Sequence, residues 1–270
     1  MCQDIEFCEL HKCPGTAVCK NLDEGYDCIT NVTFRGNEDR PLTYYYVATQ
    51  PEDTEKVKSY VEIVEILYRT KYGGTLLYVE DDQDMYFEIA AYKDQLTVHW
   101  RLNSDLASVY RFTRENAATF DWNHLYLKVA ENKIEAGWKG WEILDAQPSL
   151  TANIDMKTFE NLFSGKFPIS IGGSNPAKSN TILKGLNLKG STYKGCIGEV
   201  RIGEMLLPFF PYAEIYTESL PPRSHYSLNS SKPEEGCILC FEQDCQNGGV
   251  CKSPTENYSC KVRLLLIFLN

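Results

Sequence analysis

Residues 84–102 read DMYFEIAAYKDQLTVHWRL, and apolar side chains occupy alternate positions in both halves of this stretch. The first half has Met85, Phe87 and Ile89 at these positions. The second half has the apolar set Leu96, Val98, Trp100 and Leu102 between the polar set Thr97, His99 and Arg101. Successive side chains of a β-strand point to opposite faces, so a period of two is typical of half-buried strands. The stretch therefore predicts two strands.

The alternation continues through the cysteine-free middle of the chain, from about residue 31 to residue 207. Turn-forming pairs separate the short strands there: Gly73-Gly74, Asn132-Lys133 and Gly172-Gly173. Short strands between regular turns are typical of an antiparallel sandwich, whereas βαβ units need long helical segments. We also expect a β-bulge at Ile63-Val64, where the alternation slips, and short helical segments over Ser104–Val109 and Met156–Phe163.

The composition is that of a folded chain. Its 270 residues are 43% apolar and 12% aromatic, and its net charge is −10. An acidic chain is a poor partner for a nucleic-acid backbone or an anionic lipid surface, so neither is expected to bind. No apolar run approaches the roughly 20 residues of a membrane-spanning helix, and no signal segment opens the chain. We expect it to reach a membrane only through missing parts of a longer parent chain.

The 11 cysteines crowd the two ends of the chain and leave Cys196 alone between them. A zinc site is the alternative explanation for such clusters, but it needs two paired knuckles. Only Cys237-Ile238-Leu239-Cys240 has the CxxC spacing. Disulfide-linked small modules in an oxidising compartment are therefore expected. Three N-x-S/T sequons, the candidate glycosylation sites, agree with a secreted setting: Asn31, Asn229 and Asn257.

Both cysteine clusters show one spacing. The gaps from Cys8 are four, five and eight residues, and the gaps from Cys240 are the same. This spacing resembles that of an EGF-like repeat. The resemblance implies four disulfides: Cys8 with Cys19, Cys13 with Cys28, Cys240 with Cys251, and Cys245 with Cys260. Cys2 then resembles the last cysteine of a preceding repeat, so Met1 would mark a cut and the natural chain would extend upstream.

Three parts of the middle resemble a laminin G-like domain. Residues 67–89 resemble its opening strands. Trp122–Leu127 resembles its tryptophan-histidine strand, and Tyr193–Glu204 resembles its last strand. An Asn separates the two aromatic landmarks of the second part. The resemblance implies an all-β, antiparallel jelly-roll sandwich flanked by small disulfide-rich EGF-like modules. It also implies a disulfide between Cys196 and Cys237.

The order of modules, and the junction YDCITNVTF at residues 26–34, resemble the Crumbs family of epithelial polarity proteins. We expect an incomplete EGF-like repeat at 1–30, a laminin G-like domain at 31–238, a truncated EGF-like repeat at 239–262 and an aberrant apolar tail at 263–270. The resemblance implies a non-enzymatic recognition segment outside the cell, in an apical membrane protein, that binds extracellular proteins including copies of itself. The alternative is a secreted glycan-binding or matrix protein of the agrin, slit or neurexin type.

Calcium is the cofactor that the sandwich resemblance suggests. Asp84 matches the acidic position that holds calcium on the rim of many laminin G-like sandwiches. One carboxylate cannot form a calcium site, and the candidates for further ligands are Asn175 and Asn180. The alternative is a solvated loop in the acidic run 80–84.

The first EGF-like repeat has half of a calcium-binding pattern. Asn21 and Asp4 match the pattern, but Glu6 and Phe7 replace the residues that complete it. The second repeat has Ser253 at the corresponding position and no acidic lead-in, so no calcium is expected there.

A glycosidase needs two carboxylates that face the scissile bond. Glu142 and Asp145 are three residues apart and would point to opposite faces of a strand, while Gln147 stands where a second Glu is wanted. The four histidines are scattered and complete no catalytic motif. We therefore expect no catalysis.

The C-terminal residues depart from an EGF-like repeat. Val262 stands where a cysteine is expected, and 264–270 reads LLLIFLN. Such an apolar run has no core to enter in so small a module and is too short to span a bilayer. Our hypothesis is that the reading frame leaves the natural coding sequence near Cys260.

Overall fold

The computed structural model describes residues 6–22, 25–36, 40–47, 63–92, 95–102, 108–113, 121–138, 154–174, 192–203, 205–211, 225–230, 233–238, 245, 250–252 and 259–261. Its helices are α1 Phe7–Leu10 and α2 Met156–Leu162. Its strands are β1 Val18–Leu22, β2 Gly25–Ile29, β3 Val32–Arg35, β4 Leu42–Val47, β5 Ile63–Glu80, β6 Tyr86–Tyr92, β7 Gln95–Arg101, β8 Ser108–Thr113, β9 Asn123–Ala130, β10 Lys133–Trp138, β11 Ile169–Ile171, β12 Lys194–Ile202, β13 Met205–Leu206, β14 His225–Leu228, β15 Glu234–Glu235, β16 Val250–Lys252 and β17 Ser259–Lys261.

The middle of the chain forms two antiparallel sheets that share one long strand. The first sheet has the order β10-β9-β5-β12-β3-β15, with β13 paired to β12. The second sheet has the order β14-β4-β11-β5-β6-β7-β8. The first half of β5 pairs with β9 and β12, and its second half pairs with β11 and β6. The all-β antiparallel fold predicted from the sequence is confirmed.

β5 crosses from the first sheet to the second at Gly73 and Gly74, whose φ angles are +88° and +122°. A Cβ on Gly73 would lie 2.2 Å from the carbonyl oxygen of Ala91, and one on Gly74 would lie 2.6 Å from the Cα of Tyr193. The backbone conformation and the close contacts both require glycine. The predicted turn between two strands is therefore wrong, because the glycine pair bends one continuous strand.

The apolar core lies between the two sheets, and alternate residues of the strands enter it. In β5 and β9 these are Val64, Ile66, Tyr68, Leu125, Leu127 and Val129. α2 covers the core with Phe159, whose ring lies 5.2 Å from that of Phe87 in β6, centroid to centroid. The side chain of Asp155 caps this helix by accepting a hydrogen bond from the Lys157 amide at 3.2 Å. The helix predicted over Met156–Phe163 is confirmed.

Two other local predictions are wrong. The register of Ile63–Tyr68 against β9 is continuous, so there is no bulge at Ile63-Val64 on that side. The register shifts of β5 and β12 lie instead between Thr75 and Leu77, between Lys194 and Cys196, and between Ile197 and Val200. The helix predicted over Ser104–Val109 is contradicted at its end, since its last two residues belong to β8. Strand pairing to β7 overrides their helical preference, and 104–107 lie outside the described residues.

Each cysteine-rich end contains a two-stranded antiparallel sheet, β1-β2 and β16-β17. The structure joins Cys8 to Cys19, Cys13 to Cys28, Cys196 to Cys237 and Cys245 to Cys260, which are the partners that the resemblances imply. Cys2 and Cys240 lie outside the described residues, so the Cys240–Cys251 disulfide stays a prediction. Among the described helices, none has the length and apolar character needed to cross a membrane.

Candidate recognition surfaces

The chain enters the sandwich and leaves it at one place. The amide of Gly236 donates to the carbonyl oxygen of Asn31 at 2.8 Å, and the Thr33 hydroxyl donates to the carbonyl oxygen of Gly236 at 2.7 Å. The amide of Ile238 donates to that same hydroxyl at 2.9 Å. The Cys196–Cys237 disulfide then ties this segment to β12. The segments that precede and follow the sandwich are therefore bonded to each other at this junction.

The outer face of the second sheet, which points away from the core, carries a buried polar cluster. Tyr78, Glu88 and His99 are direct neighbours across β5, β6 and β7. The side chains of Glu88 and His99 are 1% and 0% exposed. The hydroxyl of Thr75 donates to Oε1 of Glu88, whereas Nδ1 of His99 lies 3.6 Å from Oε2, beyond hydrogen-bonding distance. The sequence predicts that β6 and β7 are half-buried, but at Glu88 and His99 both faces of these strands are buried.

The protonation of this cluster is set by burial. Burial raises the pKa of Glu88 to about 7, and the hydrogen bond from Thr75 opposes the rise. Burial and the nearby carboxylates raise the pKa of Tyr78 well above its ordinary value, and burial raises that of Tyr86 to about 12. The cluster can therefore hold a proton on Glu88 near neutral pH. Among the described residues no three His, Cys, Asp or Glu side chains lie together as metal ligands would.

A basic corner lies where β5 bends. It consists of Lys71, Tyr72 and Lys194, and the ring of Tyr72 is 38% exposed. Nζ of Lys194 lies 4.2 Å from the centre of this ring and Nζ of Lys71 lies 5.9 Å from it, both within the range of a cation–π interaction. A partly exposed aromatic ring with two ammonium groups near it offers both stacking and positive charge on a chain that is acidic as a whole.

The predicted calcium ligand of the sandwich is an exposed turn residue. Asp84 has a φ of +61°, and the preceding Asp81 holds the turn by accepting hydrogen bonds from the amides of Gln83 and Met85 at 2.8 and 2.9 Å. Asn175 and Asn180 lie outside the described residues. Calcium at Asp84 therefore stays a prediction.

The predicted calcium ligand of the first cysteine-rich module serves a structural purpose. Oδ1 of Asn21 accepts a hydrogen bond from the amide of Cys8 at 2.8 Å and so connects β1 to α1. Phe7 packs against the cystine cluster of the module, and Asp4 lies outside the described residues. This second calcium site also stays a prediction.

No protein-family model matches the chain. The chain is 22% identical over 273 residues to "Protein crumbs homolog 1" of Mus musculus, an alignment that covers 96% of the chain and 17% of the mouse protein.

The chain is similar to part of a Crumbs protein.

The solved structures to which the chain is similar include the LG1-3 region of the laminin alpha2 chain, at 14% identity and a TM-score of 0.44 over 79% of this chain and 36% of that one. Domains LG4-5 of the mouse laminin alpha1 chain also have a TM-score of 0.44, at 12% identity over 79% of this chain and 45% of that one. The Crumbs-like chain spans about a sixth of the length of the mouse Crumbs protein.

The sequons of the Crumbs-like chain differ in their surroundings. Asn31 lies half-buried at the junction, and the hydroxyl of its sequon partner Thr33 is used in the hydrogen bonds described above. Asn229 is exposed after β14, and Asn257 lies outside the described residues. Glycosylation stays a prediction at all three positions. The carboxylates weighed for catalysis, Glu142 and Asp145, also lie outside the described residues.

Sequence reasoning on this Crumbs-like chain did not find Glu88, Arg201 or Phe210. Glu88 occupies a polar position of an alternating strand, which indicates solvent, and only its pairing with His99 across the sheet could have marked it. Arg201 is bonded to Asp27, 174 residues earlier in the chain, and no local pattern records that contact.

Proposed function

We propose that this chain is a non-enzymatic recognition segment of a Crumbs-like modular protein, outside the cell at the apical surface of an epithelium, where its parent helps to set polarity. The supporting observation is the likeness to mouse Crumbs homolog 1 along 96% of the chain. The proposed division is an EGF-like repeat at 1–30, a laminin G-like domain at 31–238, a truncated repeat at 239–262 and an aberrant tail at 263–270. The partners of this segment would be extracellular proteins, including further copies of itself.

The disulfides support the proposed location. Among the described residues, eight cysteines are joined in four disulfides, and bonds of this kind persist in secreted and cell-surface proteins but are rare in the reducing cytosol. A sandwich stabilised in this way can present a rigid surface to a partner without any catalytic group.

A rescue experiment in epithelial cells tests this function. Cells that lack the parent protein would express either the complete parent or a parent without residues 6–238, at equal surface levels checked by biotinylation. We expect apical markers to spread to the lateral membrane with the deleted parent only. Equal rescue by both forms would refute a function of this segment in polarity.

A second candidate function, glycan binding, is favoured by the basic corner. A sulfated or carboxylated saccharide could stack on Tyr72 and bind Lys71 and Lys194. A glycan array would test the chain against the variant Lys71→Glu/Lys194→Glu, with Lys133→Glu as an exposed control on β10. Binding of sulfated glycans that only the double variant loses would favour this function, whereas a silent array with the wild-type chain would count against it.

A further inference from the structure

The first cysteine-rich module, residues 6–29, packs directly on the sandwich. Phe210, which follows β13 and is 0% exposed, forms an apolar cluster with Tyr26 and Cys28 of the module. The partly buried Phe7 and Ala17 surround this cluster. An aromatic side chain of the sandwich thus completes the small core of the module, which on its own is too small to bury such a ring.

A partly buried ion pair also joins the module to the sandwich. A terminal nitrogen of Arg201 in β12 lies 2.9 Å from Oδ2 of Asp27 in β2, and the two side chains are 14% and 6% exposed. Arg201 also bonds to Glu199 through its Nε. A partly buried guanidinium that bonds to two carboxylates is restricted in its orientation, so the pair helps to fix β2 against β12.

The segment that leaves the sandwich holds the other side of the module. Oε2 of Glu235 in β15 accepts hydrogen bonds from the amide and the hydroxyl of Thr16 at 2.9 and 3.2 Å. Gly15, with a φ of +57°, lies against the same carboxylate, and a Cβ there would be 2.1 Å from it. The module is therefore held at two separate places, by Phe210 and Arg201 and by Glu235.

We propose that the sandwich carries a permanent docking surface for its own first EGF-like module, and that this surface fixes the orientation of the module without calcium. The surface consists of Arg201, Phe210 and Glu235. Oδ1 of Asn21 accepts a hydrogen bond from the amide of Cys8 and so orders the module internally, beside these contacts to the sandwich. Since Gly236 bonds to Asn31, the described chain enters and leaves the sandwich at the edge that holds the docked module.

Distances measured between two spin labels on the whole chain test the proposal. Lys12 in the module and Lys133 in the sandwich are both exposed, and each would be replaced by an unnatural amino acid that carries the spin label. This labelling needs no added cysteine, so the disulfides stay intact. We expect one narrow distance distribution that is the same with calcium and with EDTA. A broad distribution in the wild-type chain, or one that narrows only when calcium is added, would overturn the proposal.

Variants identify the contacts responsible. Phe210→Ala with Arg201→Gln removes the aromatic and ionic contacts, and we expect the distribution to broaden. Tyr45→Ala with Lys157→Gln is the matched control, because it removes an exposed ring of β4 and an exposed charge of α2, neither of which belongs to the docking surface. A narrow distribution in a folded Phe210→Ala/Arg201→Gln chain would show that these residues do not dock the module. If that variant fails to fold, the comparison of calcium with EDTA in the wild-type chain still decides the proposal.

Discussion

At the scale of single residues, Glu88 is a carboxyl group that the folded chain removes from water. Its neighbours on the same face include Tyr78, Tyr86, Thr75 and His99, and only Thr75 donates a hydrogen bond to it among the described contacts. Burial of a carboxylate is costly unless donors replace its water, so the protonated form is favoured. The pKa of about 7, against an ordinary value of 4.5, expresses this preference.

We expect the stability of the chain to fall as the pH rises through the interval between 4.5 and 7 because of Glu88. In that interval the folded state retains a proton that the unfolded state has lost, so unfolding releases it and is favoured by rising pH. Glu88→Gln replaces the carboxyl group by a neutral amide and so removes this dependence of the stability on pH. The free energy of unfolding of the variant should exceed that of the wild type by an amount that grows with pH, up to about 3 kcal/mol above pH 7.

Urea unfolding at pH 4.5, 6 and 8 measures this difference. Glu135→Gln, an exposed position on β10, serves as the control and should show no such growth. A constant difference between Glu88→Gln and the wild type over this range would contradict the proposed protonation of Glu88.

A second residue-scale prediction concerns the bend in β5. Gly73→Ala would place a Cβ 2.2 Å from the carbonyl oxygen of Ala91 at a φ of +88°, so the backbone of β6 must move. We expect a loss of about 3 kcal/mol in the free energy of unfolding, as is typical of strain at such positions. Gly137→Ala is the matched control, because nothing lies within 4 Å of its added Cβ. Equal stabilities in thermal unfolding would show that β5 does not need the glycine.

At the scale of elements, the alternation of apolar and polar residues predicted where strands lie and which of their side chains face the core. Alternation located β6, β7 and β9 and assigned Val98, Leu125 and Leu127 to the core face. It could not predict that the other face of β6 and β7 is also covered, because a polar residue at alternate positions indicates solvent whether or not another part of the chain lies over it. The disulfide partners came from the resemblance, since spacing alone leaves many connectivities open.

The docking surface for the first module was beyond sequence reasoning for a different reason. Its residues come from β12, from the segment after β13 and from β15, and each is ordinary in its local context. Phe210 directly precedes Pro211 and lies in no alternating strand pattern, yet it is fully buried. Only the folded chain brings it to Tyr26.

The disulfide between β12 and the segment after β15 gives an element-scale prediction. Cys196 and Cys237 are 41 residues apart, and a cross-link over a loop of this length restricts the unfolded chain by about 4 kcal/mol. Replacement of both by Ser should lower the free energy of unfolding of the sandwich by about 2–4 kcal/mol and weaken the pairing of β15 with β3.

Thermal unfolding and hydrogen exchange of residues 233–238 would measure the two effects. Cys245→Ser/Cys260→Ser is the matched control, since its disulfide lies in the last module and spans 15 residues. If both double variants lowered the stability of the sandwich equally, the disulfide would not be the cause.

At the scale of the whole molecule, the sandwich has a large apolar core and the first module has a small one. The sandwich has one continuous apolar core that runs from β3 to β14, whereas the buried cluster of the first module consists of Tyr26, Cys28 and a residue of the sandwich, Phe210. The sandwich can therefore offset the entropy of its chain by apolar burial, and the small modules depend on their disulfides.

Reduction should consequently unfold the chain in two stages. We expect a mild reductant to open the disulfides of the terminal modules and to raise hydrogen exchange in β1, β2, β16 and β17, while β5, β9 and β12 stay protected. The sandwich would lose only the restriction supplied by Cys196–Cys237, about 4 kcal/mol, and its larger core should tolerate this loss below the melting temperature. Hydrogen exchange read by mass spectrometry, with and without the reductant, distinguishes the stages. Loss of protection in β5 and β9 at the same reductant concentration as in β1 and β2 would show instead that the disulfides support the sandwich core and the modules as one cooperative unit.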